Sequence, residues 1–250
     1  MTNHRYFVTA DVINTSEKII EVEKVNKAVL AASTSEEDTA LYNSILDVKS
    51  WLPPASKVYD ISANIEDYVV IPVPIFVTDL PNRNGIAFPL SYLVDFNADA
   101  GCVAYKTWKG KPVFQEHKND VLKEAKGVIF DSVLKPAPEF QGDLYKVILL
   151  VGVDRTKDAK LYNDIVTKKS TCYSMGAYAD DFKCSVCGAL TSKGGCNHVS
   201  QFNPNFSLVD NKLTFLNAIG CTGFEISVVA TPAFVMAQNP DCVEISKIVK

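Results

Sequence analysis

Four side chains able to hold a soft cation crowd into one short segment: Cys184, Cys187, Cys196 and His198, in the spacing C-x2-C-x8-C-x-H. A CxxC turn followed by Gly188 lets two thiolates face one ion while backbone amides soften their charge, and Cys196-Asn-His198 completes a tetrahedral set. Soft and borderline donors of this kind suit zinc. A closed set leaves no position for an activated water, so the ion is expected to be structural, holding a knuckle too small to have its own core. Seven cysteines are an odd number. The start, MTNHRYFVTADV, lacks the apolar core of a signal peptide, so metal ligation is expected rather than a disulfide framework.

A second constellation would do acyl transfer. A serine hydroxyl is a poor nucleophile near neutral pH and needs a base, for which histidine is the usual choice. The chain has three histidines: His4, His198 in the knuckle, and His117 in PVFQEHKND, which is left as the candidate base. Ser174 in TCYSMGAYA is the candidate nucleophile, because Gly176 beside it permits close approach by a substrate backbone. Glu225 is a lone carboxylate in the apolar run GFEISVVATPA, where a charge is tolerated only if paired, for instance by orienting His117. Asp131 in IFDSVL is the alternative third member. Backbone amides near Gly176, or Arg155, are candidate oxyanion donors. A cysteine hydrolase using Cys172 or Cys221 with His117 is a rival arrangement.

These residues need a scaffold, and the pattern is mostly β. Leu41, Ile45 and Leu46 have helical spacing, which predicts a helix near 36–50 stopped by Pro53. From Lys57 onward β-branched and aromatic residues take over. The strand candidates are KVYDISA, YVVIPVPIFVTDL, GCVAYKTWK, KGVIFDSVLK, LYKVILLVGV, TCYSMGAYA, NKLTFLNAIGCTGFEISVVATPA and CVEISKIV, separated by Pro, Gly, Asn and Asp turn signals. Prolines within YVVIPVPIFVTDL suit an edge or irregular strand. TKDAKLYNDIVTKK has Ala159, Tyr162, Ile165 and Val166 at helical spacing and delivers the chain into the serine strand. The Cys- and Gly-rich segment reads as an insertion, residues 183–200, within a single domain spanning 1–250.

With 250 residues, 47% hydrophobic and 22% charged, the chain has the composition of a globular protein with one substantial core. A net charge of −4 supplies no general basic field, so neither nucleic acid nor an anionic membrane is an expected partner. No apolar run reaches the length of a bilayer span, and a cytoplasmic location is expected.

The quoted residues resemble the prohead (capsid maturation) proteases of tailed bacteriophages, which share the herpesvirus-assemblin-like fold. EHKND through KGVIFDSVL resembles the family's histidine segment, YSMGAY its S-x-G nucleophile motif, and FEISVVATPAFVMA its E-[LI]-S-x-V-x-x-P-A signature, with Glu225, Ile226, Ser227, Val229, Pro232 and Ala233 in place. The cysteine-rich segment is similar to an insertion of some large-phage members. The resemblance covers about residues 100–240. It implies an α+β fold, with a mostly antiparallel, partly closed β-barrel, flanking helices and the inserted zinc knuckle. It also implies a serine endopeptidase with His117, Ser174 and an acidic third member that varies between Asp and Glu. The enzyme would act within the host bacterial cytoplasm, inside the immature phage head, on scaffolding or core proteins, the major capsid protein and itself. Assembly into a homo-oligomer is left open. The rival from another class is a non-enzymatic zinc-containing structural or scaffolding protein of the phage head.

Overall fold

A computed structural model describes residues 6–7, 51–198, 207–209, 211–239 and 242–247. The helix expected near 36–50 lies outside the described residues. Among them, eight strands form the main sheet in the spatial order β1 (Tyr6–Phe7), β9 (Tyr173–Ala179), β14 (Thr222–Val228), β6 (Pro112–Gln115), β7 (Gly127–Pro136), β8 (Tyr145–Asp154), β2 (Tyr68–Val77) and β15 (Val243–Glu244). Every neighbouring pair is antiparallel except β6 and β14, which run parallel. The sheet curls into a half-barrel with few helices, a mixed α+β architecture.

Both faces of this sheet are covered, which explains why its strands read as continuous apolar runs instead of alternating ones. Along β2, Val69, Ile71 and Val73 enter one core cluster, while Tyr68 and Val70 enter another. Along β8, Leu149, Val151 and Val153 take the first side and Leu150 the second. Helical residues 51–59 cover the second side with Trp51, Leu52, Ala55 and Tyr59, all buried. The helix Ala159–Val166 carries Leu161, Tyr162 and Ile165 into the first cluster, and the Asp158 side chain caps its start by accepting from Leu161 N. Each fully buried aliphatic or aromatic side chain contributes on the order of 1.5–3 kcal/mol.

The smaller sheets hang from the same strands. β10 (Asp181–Cys184) pairs with β13 (Leu216–Ile219), which also meets β3 (Ile86–Ala87). β11 (Ser207–Val209) pairs with β12 (Lys212–Thr214), and β4 (Phe96–Asn97) with β5 (Cys102–Val103). The chain thus leaves the serine strand β9, runs out through β10, passes the cysteine-rich segment, and returns through β13 into β14.

Four sequence expectations differ from the structure. CVEISKIV is strand only at Val243–Glu244 and then winds into a 3-10 turn, Ile245–Lys247. Pro53 and Pro54 lie within helical residues 51–59 instead of ending a helix. KVYDISA is not a strand. Its first residues finish that helix, Asp60 turns with φ +55, and Asn64 caps a 3-10 turn, Ile65–Asp67. GCVAYKTWK is strand only at Cys102–Val103 and then winds into a 3-10 helix, Ala104–Trp108. That helix is held by its packing: Thr107 Oγ1 donates to Ala104 O at 2.6 Å and accepts from Gly223 N at 2.6 Å, and Trp108 Nε1 donates to Gly176 O at 3.2 Å.

Candidate functional site

β9 and β14 lie side by side, so residues about fifty positions apart in sequence share one face of a sheet. Ser174 stands opposite Ser227 and Gly176 opposite Glu225. Directly opposed residues of an antiparallel pair, and residues two apart on one strand, project from the same face. Ser174, Gly176, Glu225 and Ser227 therefore form one polar patch. Tyr173, Met175, Ala177, Ile226 and Val228 belong to the first core cluster on the other side. A bulge between Gly223 and Glu225 sets this alternation. It leaves Phe224 packed edge-on against Tyr178 at 5.2 Å and allows the next residue, Glu225, to face the site. Gly223 is required at the bulge because a Cβ there would collide with the buried Trp108 indole.

His117 comes to this patch on a turn. β6 runs parallel to β14 and pairs Gln115 with Val228, and the chain then reverses through Glu116 and His117, whose φ values are +51 and +52. Two successive non-glycine residues in the left-handed region are strained and persist only where their surroundings hold them. Here Glu116 N donates to Val228 O at 2.9 Å, Lys118 N to Gln115 O at 3.1 Å, and Ala230 N to the Glu116 carboxylate at 2.8 Å.

His117 Nδ1 lies 2.9 Å from Glu225 Oε1. The Glu225 side chain is 0% exposed and that of His117 17%, so a buried carboxylate meets a ring that solvent still reaches. The partner of Nδ1 is an acceptor, which favours the tautomer with the proton on Nδ1 and a lone pair on Nε2. Nε2 is the atom a serine hydroxyl would meet. Ser174 is buried, at 6% exposure, and its hydroxyl makes no hydrogen bond to His117 or to any other described residue. The arrangement joins histidine to carboxylate and sets the serine on the adjoining strand without closing the serine–histidine contact.

Asp131 is engaged elsewhere. Its Oδ1 accepts from Ser132 N at 2.8 Å and faces Lys106 Nζ at 3.4 Å. Arg155 donates twice to Asp67 Oδ1, which engages its guanidinium at the start of β2. Cys221 is buried, and burial, followed by the Asp180 carboxylate, pushes its thiol far above the ordinary range, so it is a poor source of thiolate.

The metal-ligand candidates come together. One donor atom from each of Cys184, Cys187, Cys196 and His198 lies within 4.8 Å of the others, and the group could hold a metal ion. Cys184 ends β10, and its Sγ is 3.9 Å from His198 Nδ1. Val186 N donates to Cys184 Sγ at 3.4 Å, and the Ala189 amide faces Cys187. Gly188 turns with φ +74, so the CxxCG segment aims backbone amides at two sulfurs, as thiolates require. The turn that leads to Cys196 is held by Asp181, which accepts from Phe182 N, Thr191 Oγ1 and Ser192 N. None of the seven cysteines is in a disulfide.

No protein-family model, curated protein or solved structure matches this chain significantly. No helix among the described residues is long and apolar enough to cross a membrane.

Sequence reasoning singled out the histidine, the serine and the glutamate but missed Ser227 as a member of the site. Ser227 Oγ donates to Glu225 Oε2 at 2.7 Å and accepts from His117 N at 3.1 Å. A signal existed: a serine two residues from a lone carboxylate on a strand must share its face.

Proposed function

We propose that this chain is a serine endopeptidase of the phage prohead-maturation kind, with Ser174 as nucleophile, His117 as base and Glu225 as the acidic third member. The observation that carries the reading is the 2.9 Å contact between His117 Nδ1 and the fully buried Glu225 carboxylate. A buried carboxylate is costly unless it is paired. Pairing it with an imidazole one strand away from a serine is the arrangement that acyl transfer needs. His117 Nε2 takes the Ser174 proton as Oγ attacks a peptide carbonyl. Glu225 stabilises the resulting imidazolium, and the proton passes to the leaving amine. Water then attacks the acyl carbonyl as it gives a proton to His117, and His117 returns that proton to Ser174 Oγ as the acyl–oxygen bond breaks and the acid is released.

The substrates on this reading are scaffolding or core proteins, the major capsid protein and the enzyme itself, inside an immature head in the host cytoplasm. Cys184, Cys187, Cys196 and His198 hold a structural zinc. Tetrahedral bonds of about 2.3 Å to sulfur and 2.0–2.1 Å to nitrogen place ligand atoms roughly 3.5–3.8 Å apart, so the present set, within 4.8 Å, has only to draw in slightly. Four protein donors leave no open position for chemistry at the ion.

One observation favours a second reading, a non-enzymatic zinc-containing structural or scaffolding protein of the head: Ser174 makes no hydrogen bond to His117. Catalytic contacts are often long before substrate binds, and experiment separates the two. The chain is co-expressed with candidate capsid and scaffolding proteins, as wild type and as Ser174→Ala, and new protein termini are mapped. The protease reading requires new termini with wild type and none with Ser174→Ala. Intact partners in both would support the structural reading.

A further inference from the structure

We infer that Ser227 is a positioning residue for the His117–Glu225 pair, a clamp that fixes the histidine's backbone and the glutamate's second oxygen at once. This deepens the protease reading and rests on it for its kinetic part. The hydroxyl's two roles follow from its partners. The His117 backbone N–H is only a donor, so Ser227 Oγ must accept there, at 3.1 Å. The hydroxyl's own proton goes to Glu225 Oε2, which accepts at 2.7 Å. Glu225 Oε1 then meets His117 Nδ1 at 2.9 Å, and the ring of contacts closes on itself: imidazole, carboxylate, hydroxyl, backbone amide.

Closure has two consequences. Ser227 is 0% exposed and its proton is committed to Glu225. Of the two serines that face each other across β9 and β14, it is therefore the one unfit to be the nucleophile. The same bonds hold His117 in its left-handed conformation, φ +52, and stop the carboxylate from rotating away from the imidazole. With Glu225 held at both oxygens and His117 at both its ring and its amide, the base is preorganised before any substrate arrives. The charged groups on the turn itself are Glu116, committed to Ala230 N, and Lys118. Glu225 is the carboxylate that β14 brings to the ring.

The test compares full-length wild type with Ser227→Ala. Two readouts are used that a merely structural role would not move. The first is the downfield proton resonance of the His117 Nδ1–H, identified by its loss in His117→Ala. In Ser227→Ala it should broaden and exchange faster with water. The second is turnover of a capsid or scaffolding substrate. Here kcat should fall roughly ten- to a hundredfold, the worth of one hydrogen bond to a charged group, with KM unchanged because Ser227 touches no substrate. Should Ser227→Ala fail to fold, Ser227→Cys, which fills the space but donates weakly, is measured in its place. A folded variant with the resonance and kcat of wild type overturns the clamp. If wild type cleaves nothing while the resonance still responds to Ser227, the clamp stands and the protease reading alone fails.

Discussion

The polar patch on β9 and β14 and the cysteine knuckle are two solutions to assembling a polar site, and they differ in what holds them together. The patch joins residues 108 and 110 positions apart, His117 to Glu225 and His117 to Ser227, and its geometry is set by sheet register, a bulge and a strained turn. The knuckle takes all its donors from Cys184 to His198, and of the four only Cys184 is buried. Sheet packing keeps the first site in place without a ligand. The second, on the proposed reading, draws its cohesion from a bound ion. Damage to the patch should therefore cost chemistry and spare the fold, whereas damage to the knuckle should cost stability and largely spare chemistry.

The largest effect expected is on turnover. Ser174→Ala and His117→Ala should each lower proteolysis by at least about a thousandfold in a chain that still folds, and the double variant should be no less active than either, since members of one catalytic unit are not additive. Ser174→Ala should leave melting unchanged, whereas His117→Ala, which strips the buried Glu225 of a partner, should lower it. Initial rates of substrate cleavage, with calorimetry on the same samples, check this.

Next comes the carboxylate. Glu225→Gln should lower kcat by roughly 10²- to 10⁴-fold by presenting the wrong partner to Nδ1, and Glu225→Asp should be milder. Asp131→Asn is the control: Asp131 faces Lys106, so that variant should keep near-normal kcat. A crippled Asp131→Asn beside a normal Glu225→Gln would reverse the assignment.

For the knuckle, elemental analysis after purification without chelators should find about one zinc per chain, the count that a single four-donor site sets. Stripping the metal, or Cys184→Ser, should lower the melting temperature by several degrees, the scale of a lost structural ion, while changing kcat less than tenfold. A folded, metal-free chain with full activity would also exclude a catalytic ion.

The smallest effect concerns Asp181. Burial acts to raise its carboxyl, but hydrogen bonds from Ser192, Thr191 and Phe182 outweigh it and hold the group below its ordinary value of 3.8. A depressed folded value means stability that is present above the unfolded value and lost as pH falls through the folded one. Asp181→Ala should therefore cost about 1 kcal/mol at neutral pH, a modest figure because solvent reaches the carboxylate. The cost should vanish well below pH 3.8, as read from denaturant midpoints across pH.

The same contrast explains which features could be read in the sequence. The candidate metal donors were legible because all four sit in one short segment, so spacing alone brings them to attention. His117 and Glu225 could be paired on paper because the chain has three histidines and because a lone carboxylate in an apolar strand needs a partner. Ser227 was not legible as a clamp, since a serine in an apolar strand reads as packing until the neighbouring turn is in place. The 3-10 helix Ala104–Trp108 was hidden for a related reason. Its residues have strand propensities, and what winds them is the contact of Thr107 and Trp108 with β14 and β9, which lies over a hundred residues or nearly seventy away. The main strands were legible as apolar runs. Their order in the sheet, including the parallel β6–β14 pair, depends on long-range packing that local pattern does not encode.

The most direct measurement needs no knowledge of the natural substrate. The full-length chain is treated with a fluorophosphonate, whose phosphorus is attacked by an activated serine with loss of fluoride, and the adduct is mapped by mass spectrometry. A single adduct on Ser174, absent from His117→Ala and reduced in Glu225→Gln, is the expected result. No adduct on folded, metal-replete protein, or one on Ser227 or a cysteine in place of Ser174, would contradict the assignment of Ser174 as the nucleophile.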